Sequence, residues 1–349
     1  SYFSIIDCTR GIMSDALSFK EIDLNTHSQL GIWMDFLANS PQASCFFEPH
    51  FFKNFSQENR CFLIQKNHSI KAIFFGLTEN AGKNLVFKNG AIHSGFLFSG
   101  EILNLKSKSK KNSQIYEISN FIAEQLPNYF ETIDFCLIPE IVDIRPFQWF
   151  NYHSKNIDEK YKITTRYTSF LNLKSLVEYN AKSDDWTQNL STLRRREIRK
   201  GFANSFHFEE SKDIEAFLLL YKQAASNYMD ELENEIQSIR MLFENYQDKL
   251  KLYFLYSEKK ELVTANLFSF GFKKAHFLYG ASNKKIIEAG MGSYAMWKSI
   301  ESLKKLELQV LDFEGINSPE RGRFKLSFGG DLIAYYRIQY YNLTTKELT

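Results

Sequence analysis

Val310-Leu-Asp-Phe-Glu-Gly-Ile316 is followed, eight residues on, by Phe324-Lys-Leu-Ser-Phe-Gly-Gly330. An apolar strand runs into a glycine, a polar loop follows, and the chain returns as a Phe-Lys pair ending in two glycines. With a period of two, Leu306, Leu308 and Val310 share one face of that strand, and Asp312 and Glu314 continue it. The strand therefore ends in two carboxylates, and parallel sheets collect their ligands at that end. Two readings of Asp312 stay open: a carboxylate that meets a ligand, and an acid that caps neighbouring backbone N–H groups.

Working outward, the strand is preceded by a predicted helix from about Gly292 to Lys305 and, before that, by strands Leu252–Tyr256, Leu262–Phe270 and Ala275–Ala281. Glu258–Glu261 and Gly271–Lys274 supply the turns between those strands. Further upstream, Trp186 to about Ala203 reads as a charged helix and Phe206–Glu209 as a short strand. Asp213 is placed to N-cap a helix through Phe217, Leu220 and Tyr221, and a second helix covers about Glu235 to Leu250. Leu332–Tyr341 is the last strand, with a frayed tail after it.

The first half repeats part of this order. Cys61–Gln65 and Ile70–Leu77 form a hairpin, and Leu85–Lys88 and Phe96–Phe98 are short strands. Asn112–Leu126 is a helix, and Thr132–Ile138 the strand after it. Hairpin, strand, helix, strand thus occurs twice, without visible sequence identity between the halves. A right-handed crossover around each helix makes its flanking strands parallel neighbours. The expected fold is α+β with mixed sheets, divided between residues 139 and 165 into domains 1–150 and 151–349.

Composition excludes more than it selects. Hydrophobic residues at 44% and charged residues at 24% are those of an ordinary globular chain, and the net charge of +2 gives no reason to expect a polyanionic partner. Cys8, Cys45, Cys61 and Cys136 form no CxxC pair, and the seven histidines no HExxH, so no metal and no disulfide frame are expected. There is no leader-like start and no apolar run of the roughly 18 residues that a membrane span needs. A soluble, cytoplasmic protein is the expectation, with its oligomeric state left open. Nucleophile elbows and Walker loops are missing too, which leaves hydrolases and kinases without a motif.

Chemistry gathers in the second half. The loop Ala281–Gly292 ends Glu-Ala-Gly-Met-Gly directly before a helix, and Gly290 and Gly292 remove Cβ atoms where a ligand approaches the backbone. The helix start offers unpaired N–H groups to an anion, with about 0.3–1 kcal/mol from the dipole. An ordinary tight turn is the alternative. The equivalent loop of the first half, Lys106–Lys111, has no glycine.

Strands, Gly-x-Gly, helix and strand in this order resemble the GNAT acyltransferase fold. Asp312-Phe-Glu-Gly315, Phe324-Lys-Leu-Ser-Phe-Gly-Gly330, Arg194-Arg-Arg-Glu-Ile-Arg-Lys200 and Tyr279-Gly-Ala resemble its FemAB-like branch, over most of residues 140–340. The resemblance implies tandem GNAT-like domains with a cleft between them, and transfer of an acyl or aminoacyl group to an amine. The donor is then acyl-CoA or aminoacyl-tRNA, with no permanently bound cofactor, and cell-envelope or polysaccharide metabolism is one setting for the acceptor. Lys325 resembles the family's cationic position near the substrate phosphate and the reacting carbonyl, and Phe324 of the same pair is a candidate for substrate or phosphate binding. Ala289, Gly290, Met291, Gly292 and Ser293 take the place of the donor loop. Ile287 stands where that loop carries Gln or Arg.

Aminolysis of a thioester or ester needs a neutral amine, an oriented carbonyl and donors where oxyanion charge develops. Glu314 or Asp312 is the candidate acceptor for the amine proton, and Tyr279 the candidate donor to the leaving group. His276 alternates with Phe277 in a strand and reads as a core histidine. Within the Arg194–Lys200 run, Arg194, Arg195 and Arg199 are candidates for phosphate or tRNA contact, against a solvated helix face. Arg145 and Arg166 read as structural. A non-catalytic module that kept the fold and lost the donor, or a nucleic-acid binder, are the competing functions.

Overall fold

The computed structural model describes residues 16–225 and 229–341, so Cys8 and the tail after residue 341 lie outside the described residues. The chain opens with β1 (Ser18–Ile22), α1 (His27–Asn39) and α2 (Pro49–Phe52). The hairpin β2 (Asn59–Lys66) and β3 (Ser69–Glu79) turns through Asn67 and His68, both at positive φ. Next come β4 (Asn84–Leu85), β5 (Gly95–Phe98), α3 (Gly100–Leu103), the long α4 (Lys108–Tyr129), β6 (Thr132–Cys136) and α5 (Arg145–Trp149).

The second half runs β7 (Lys162–Asn172), α6 (Thr192–Ala203), β8 (His207–Ser211), α7 (Ile214–Ala224) and α8 (Met229–Tyr246). The hairpin β9 (Leu250–Tyr256) and β10 (Leu262–Gly271) follows, then β11 (Lys274–Ser282), α9 (Met291–Lys304), β12 (Val310–Asp312), α10 (Pro319–Leu326) and β13 (Asp331–Tyr341). Ser107, Ser191 and Asp213 cap α4, α6 and α7 through bonds to the amides of Lys110, Arg194 and Ala216. No helix among the described residues is long and apolar enough to cross a membrane.

The strands join in one mixed sheet, in the order β1-β2-β3-β4-β6-β13-β7-β12-β11-β10-β9-β8, with β5 paired to β3. Its two wings repeat each other. β2–β3 and β9–β10 are antiparallel hairpins, and each wing has one parallel pair, β4–β6 and β11–β12. The repeated order read from the sequence is therefore a repeated architecture. What periodicity did not foresee is the join: β13, the last strand, pairs with β6 of the first half and with β7 of the second. Arg337 on β13 locks the first contact with two bonds to the Asp134 carboxylate, 2.6 and 2.7 Å.

One apolar cluster runs from Trp33 and Phe46 through Phe74 and Phe135 to Phe243, Leu252 and Tyr279, so the two wings share a core. A second surrounds Trp297 of α9 with Leu171, Leu311 and Phe328. Cys45, Cys61 and Cys136 are buried and unbridged.

β4 and β5 behave as one interrupted strand. β3 pairs with β5 over Ala72–Phe75 and with β4 over Thr78–Glu79. Residues 86–94 leave the sheet between them and carry Phe87, Gly90 and His93 toward the second half.

Several elements differ from their sequence-based expectation. Residues 306–309 are not strand: α9 ends at Lys304, Glu307 takes φ 56°, and β12 has three residues. The polar loop and Phe-Lys return are the helix α10, started by Pro319 in its first turn. Trp186 belongs to a separate 3-10 turn, Asp185–Thr187, and Ser191 starts α6 afresh. β1, α1, α2 and β7 carry short or irregular apolar patterns and were not anticipated at all.

Gly90 tests the excursion. It sits at φ +84°, and a Cβ there meets Tyr279 Oη and the Phe55 ring. Gly90→Ala is expected to destabilise the chain by about 1–3 kcal/mol in urea denaturation, whereas Gly31→Ala, with nothing near its Cβ, stays within about 0.5 kcal/mol or gains stability.

Candidate functional site

β11 and β12 run parallel but pair only over Lys274–His276 against Val310–Asp312. After Asp312 the chain turns away through Glu314 at φ 52° and Gly315 at φ 34°. β11 continues to Ser282, paired along its other edge with β10. That ladder also slips at the same level. Tyr279 faces Leu267 and Phe277 faces Phe268, which leaves Leu278 as a bulge with no residue opposite. The two strands thus part into a fork, and backbone groups of β11 beyond His276 have no strand on the side where β12 has left.

A cavity of about 740 Å³ fills the fork. Its walls come from both halves: Phe87 and Gly90 from the 86–94 excursion, Tyr221 and Glu235 from α7 and α8, and Phe324 and Lys325 from α10. Phe277, Leu278 and Tyr279 of β11 face it, as do Ile287 and Gly292. This is the concave, partly apolar setting in which small-molecule sites form.

Lys325 stands at the point of the fork. Its Nζ donates to the Glu314 carbonyl at 2.6 Å and lies 5.1 Å from the centroid of the Phe277 ring. Burial lowers the ammonium to about 8, while the Glu314 and Asp312 carboxylates pull it back up. Tyr279 Oη is buried at the cavity wall without a hydrogen-bond partner among the described residues, and burial raises its pKa well above the usual phenol value, so it remains a proton donor.

Behind Lys325 lies a buried titratable cluster. Asp312, Glu314, His93 and His276 are 1%, 2%, 1% and 4% exposed. Asp312 Oδ1 accepts the Thr168 hydroxyl and, at 2.9 Å, the Glu314 amide. The capping reading of Asp312 is therefore realised in its bonds. His276 Nδ1 meets Glu314 Oε1 at 2.9 Å, so this histidine, read as core filling, is tied to a carboxylate at the cavity. Burial raises both acids, Asp312 further through repulsion from Glu314, and lowers both histidines.

Other sequence candidates stand elsewhere. Of residues 289–293, Gly292 lines the cavity. Gly290 starts α9 at φ +99°, but α6 covers it: a Cβ there meets the Glu197 backbone, and the Ser293 hydroxyl donates to the Glu197 carboxylate at 2.6 Å. An internal carboxylate thus occupies the helix start where an anion was expected. Arg194 is buried against that same group, bonded to Glu197, Ser293 and Ser327 and lying over the Phe324 and Phe328 rings. Arg199 pairs with Asp184, and Arg195 reaches Thr192. None of the three arginines lines the cavity, whose cations are Arg166, Arg321 and Lys325.

Sequence reasoning missed His93, Arg321 and Glu235, and read Arg166 as structural only. His93 is a single polar residue in an irregular loop, far along the chain from Glu314, and no spacing rule joins them. Arg166 does keep a structural bond, Nε to Tyr335 Oη at 3.1 Å, while also facing the cavity.

Burial of Glu314 makes a stability prediction. Its folded pKa is raised above the unfolded value, so between about pH 4.5 and its folded pKa of about 7 the folded chain binds the extra proton, and stability from this group falls as pH rises. The histidines, lowered by burial, act in the opposite direction below their unfolded value of about 6.5. Glu314→Gln is therefore expected to gain on the parent by about 1–3 kcal/mol between about pH 5 and about pH 8 in urea denaturation. A difference that does not change with pH contradicts it.

The sequence matches no protein-family model and no curated protein. Solved structures do match along nearly the whole chain. The crystal structure of FemX superposes with a TM-score of 0.59 at 10% identity, covering 94% of this chain and 99% of that one. L-PGS from Bacillus licheniformis gives 0.51 at 11% identity, covering 89% and 92%. A tandem GNAT protein from the clavulanic acid biosynthesis pathway gives 0.50 at 10% identity, covering 93% and 98%. With its repeated wings and parted strands, the chain has a tandem GNAT-like fold, shared with these structures.

Proposed function

We propose that this chain is an N-acyltransferase that receives an acyl or aminoacyl donor in the fork between β11 and β12 and transfers its acyl group to an amine in the cleft. The observation that carries the reading is the fork itself: strands that pair for three residues and part, with Lys325 at the parting point and the Leu278 bulge on the open edge. In this reading residues 1–150 and 151–349 are the two halves, and the first contributes the wall at Phe87 and Gly90.

The parts have separate tasks. The backbone around Leu278 and the Lys325 ammonium stabilise negative charge on the acyl oxygen as the amine attacks. Glu314, beside Lys325, takes the proton that the amine loses, and Tyr279 donates to the departing sulfur or oxygen. Asp312 acts behind Glu314 by holding its amide. Arg166 and Arg321 meet the anionic part of donor or acceptor, since the Gly290 helix start is covered by Glu197. The resemblance to FemAB-like enzymes admits aminoacyl donors alongside acyl-CoA for this reading, and peptide, amino-sugar and lipid-linked amines alongside small ones as acceptors.

Thermal shift of the whole chain against acetyl-CoA, longer acyl-CoAs and aminoacyl-tRNA tests the donor. A true donor at one hundred times its Kd stabilises by about 2.7 kcal/mol. No response to any of them supports a non-catalytic module instead. With the donor that binds, turnover is then measured over amino-sugar, peptide and lipid amines. Lys325→Met keeps the apolar stem over Phe277 and is expected to lower kcat about 10²–10³-fold with Tm nearly unchanged. A folded, fully active variant removes Lys325 from this role.

Tyr279→Phe separates activity from stability. Loss of an unpartnered buried hydroxyl is expected to leave stability equal or raised by about 1 kcal/mol, while turnover drops at least about 10-fold for the donor with the poorer leaving group. Equal turnover with every donor contradicts the proton-donor role.

A further inference from the structure

The histidines behind the cleft have bonds that define their protonation. His93 Nδ1 lies 2.9 Å from the carbonyl of Leu137, which can only accept, so Nδ1 carries the hydrogen and Nε2 of the neutral ring is a bare lone pair. That lone pair lies 3.7 Å from Glu314 Oε2. Both atoms are buried and neither has another hydrogen-bond partner. Two acceptors facing each other in a site of low dielectric repel unless a proton is shared between them.

The rest of the surroundings suits a shared proton. Glu314 borders the cleft on one side. On the other, His93, His276 and Asp312 line a second, small cavity together with the Glu140–Lys274 ion pair, which is half-buried. Phe46 packs edge to face against both imidazoles, at 5.2 and 4.9 Å, and Tyr335 against His93 at 5.0 Å, which holds the rings in place. The other charged or titratable groups facing the cluster are Lys325 from α10, Arg166 from β7 and Cys45 from the segment before α2.

We propose that His93 and Glu314 form a proton-sharing pair linking the two halves, in which Glu314 takes the amine proton and holds it against the His93 Nε2 lone pair. The proposal rests on the acyl-transfer reading. As the N–C bond forms and the bond from the acyl carbon to sulfur or oxygen breaks, the electron pair leaves with the donor, which takes a proton from Tyr279. The amine proton moves to Glu314 Oε2, where the new O–H faces the His93 Nε2 lone pair and shares the proton with it. Once the product has left, Glu314 returns that proton to the cleft, where Tyr279 is reprotonated, so no net proton is gained or lost. Burial raises Glu314 to about 7 and lowers His93 to about 3, so the proton of the pair rests on the carboxyl and the imidazole takes part as its acceptor.

Two measurements on the whole chain decide this. With 15N-labelled histidine, NMR reads the rings without substrate. The expected result is a His93 Nδ1–H tautomer whose Nε2 signal titrates together with Glu314 and loses that response in Glu314→Gln. An Nε2–H tautomer, a response that Glu314→Gln leaves unmoved, or one tightly bound divalent ion per chain in elemental analysis overturns the pair. With the donor and amine found in the turnover screen, His93→Gln is expected to lower kcat about 10–10²-fold at unchanged KM. It also moves the acid limb of the kcat profile to lower pH, because the introduced amide can donate to the Glu314 carboxylate. If that variant does not fold, the proton inventory of the parent replaces it: a curved dependence on deuterium content supports the pair, and a linear one overturns it. No response to any donor overturns the transferase reading and the pair with it, whereas donor turnover with an unshifted His93→Gln profile overturns the pair alone.

Discussion

Everything at the site depends on the point where β12 stops being a strand. Parallel pairing with β11 ends at Asp312, because the next residues take Glu314 and Gly315 into the left-handed region and lead the chain off the sheet. The turn is held from three sides. Asp312 accepts the Glu314 amide, Thr168 of β7 bonds the Asp312 carboxylate, and Lys325 of α10 binds the Glu314 carbonyl. Continued pairing would close the fork, and a helix α10 elsewhere would leave it without a cation. The same few hydrogen bonds therefore keep the strands apart and position the charge between them.

This arrangement is costly to fold. Two carboxylates and two imidazoles are almost fully buried beside an ammonium, and four of their polar atoms, His93 Nε2, His276 Nε2, Asp312 Oδ2 and Glu314 Oε2, have no hydrogen-bond partner among the described residues. Buried polar groups are ordinarily satisfied, since an unpaired one costs about 1–3 kcal/mol. The shared apolar core and the ladders of β13 with β6 and β7 offset that cost. Those ladders cross from one half to the other, and the excursion that carries Gly90 and His93 packs beside Tyr279 of β11. The cleft is thus a property of both halves together, although most of its candidate chemistry lies in the second.

Local signals read well from the chain itself. The hairpins β2–β3 and β9–β10, the glycines before α9 and the final strand follow from alternation and turn residues, and the hairpin–strand–helix–strand repeat gave the tandem architecture. Residues 319–326 were misread because a short charged helix with two glycines nearby has the composition of a loop. The Arg194–Lys200 run drew attention as an anion site, yet Ser191 starts α6 so that Arg194 faces inward and joins Glu197 and Ser293. A run of cations announces charge but not the direction in which each side chain points.

Spacing along the chain settled the type of fold and put Glu314 and Gly292 among the candidates, since each lies on or beside an element whose period is visible, while Lys325 and Tyr279 came from the resemblance to FemAB-like enzymes. Which of them meet, and with what, was left to packing. His93 reaches Glu314 only because residues 86–94 leave an interrupted strand, and Glu197 fills the start of α9 only because α6 lies across it. Contacts of that kind join residues about a hundred to two hundred positions apart. A period of two or of 3.6 describes neighbours on one element and carries no information about partners brought together by a sheet that folds back on its own first half.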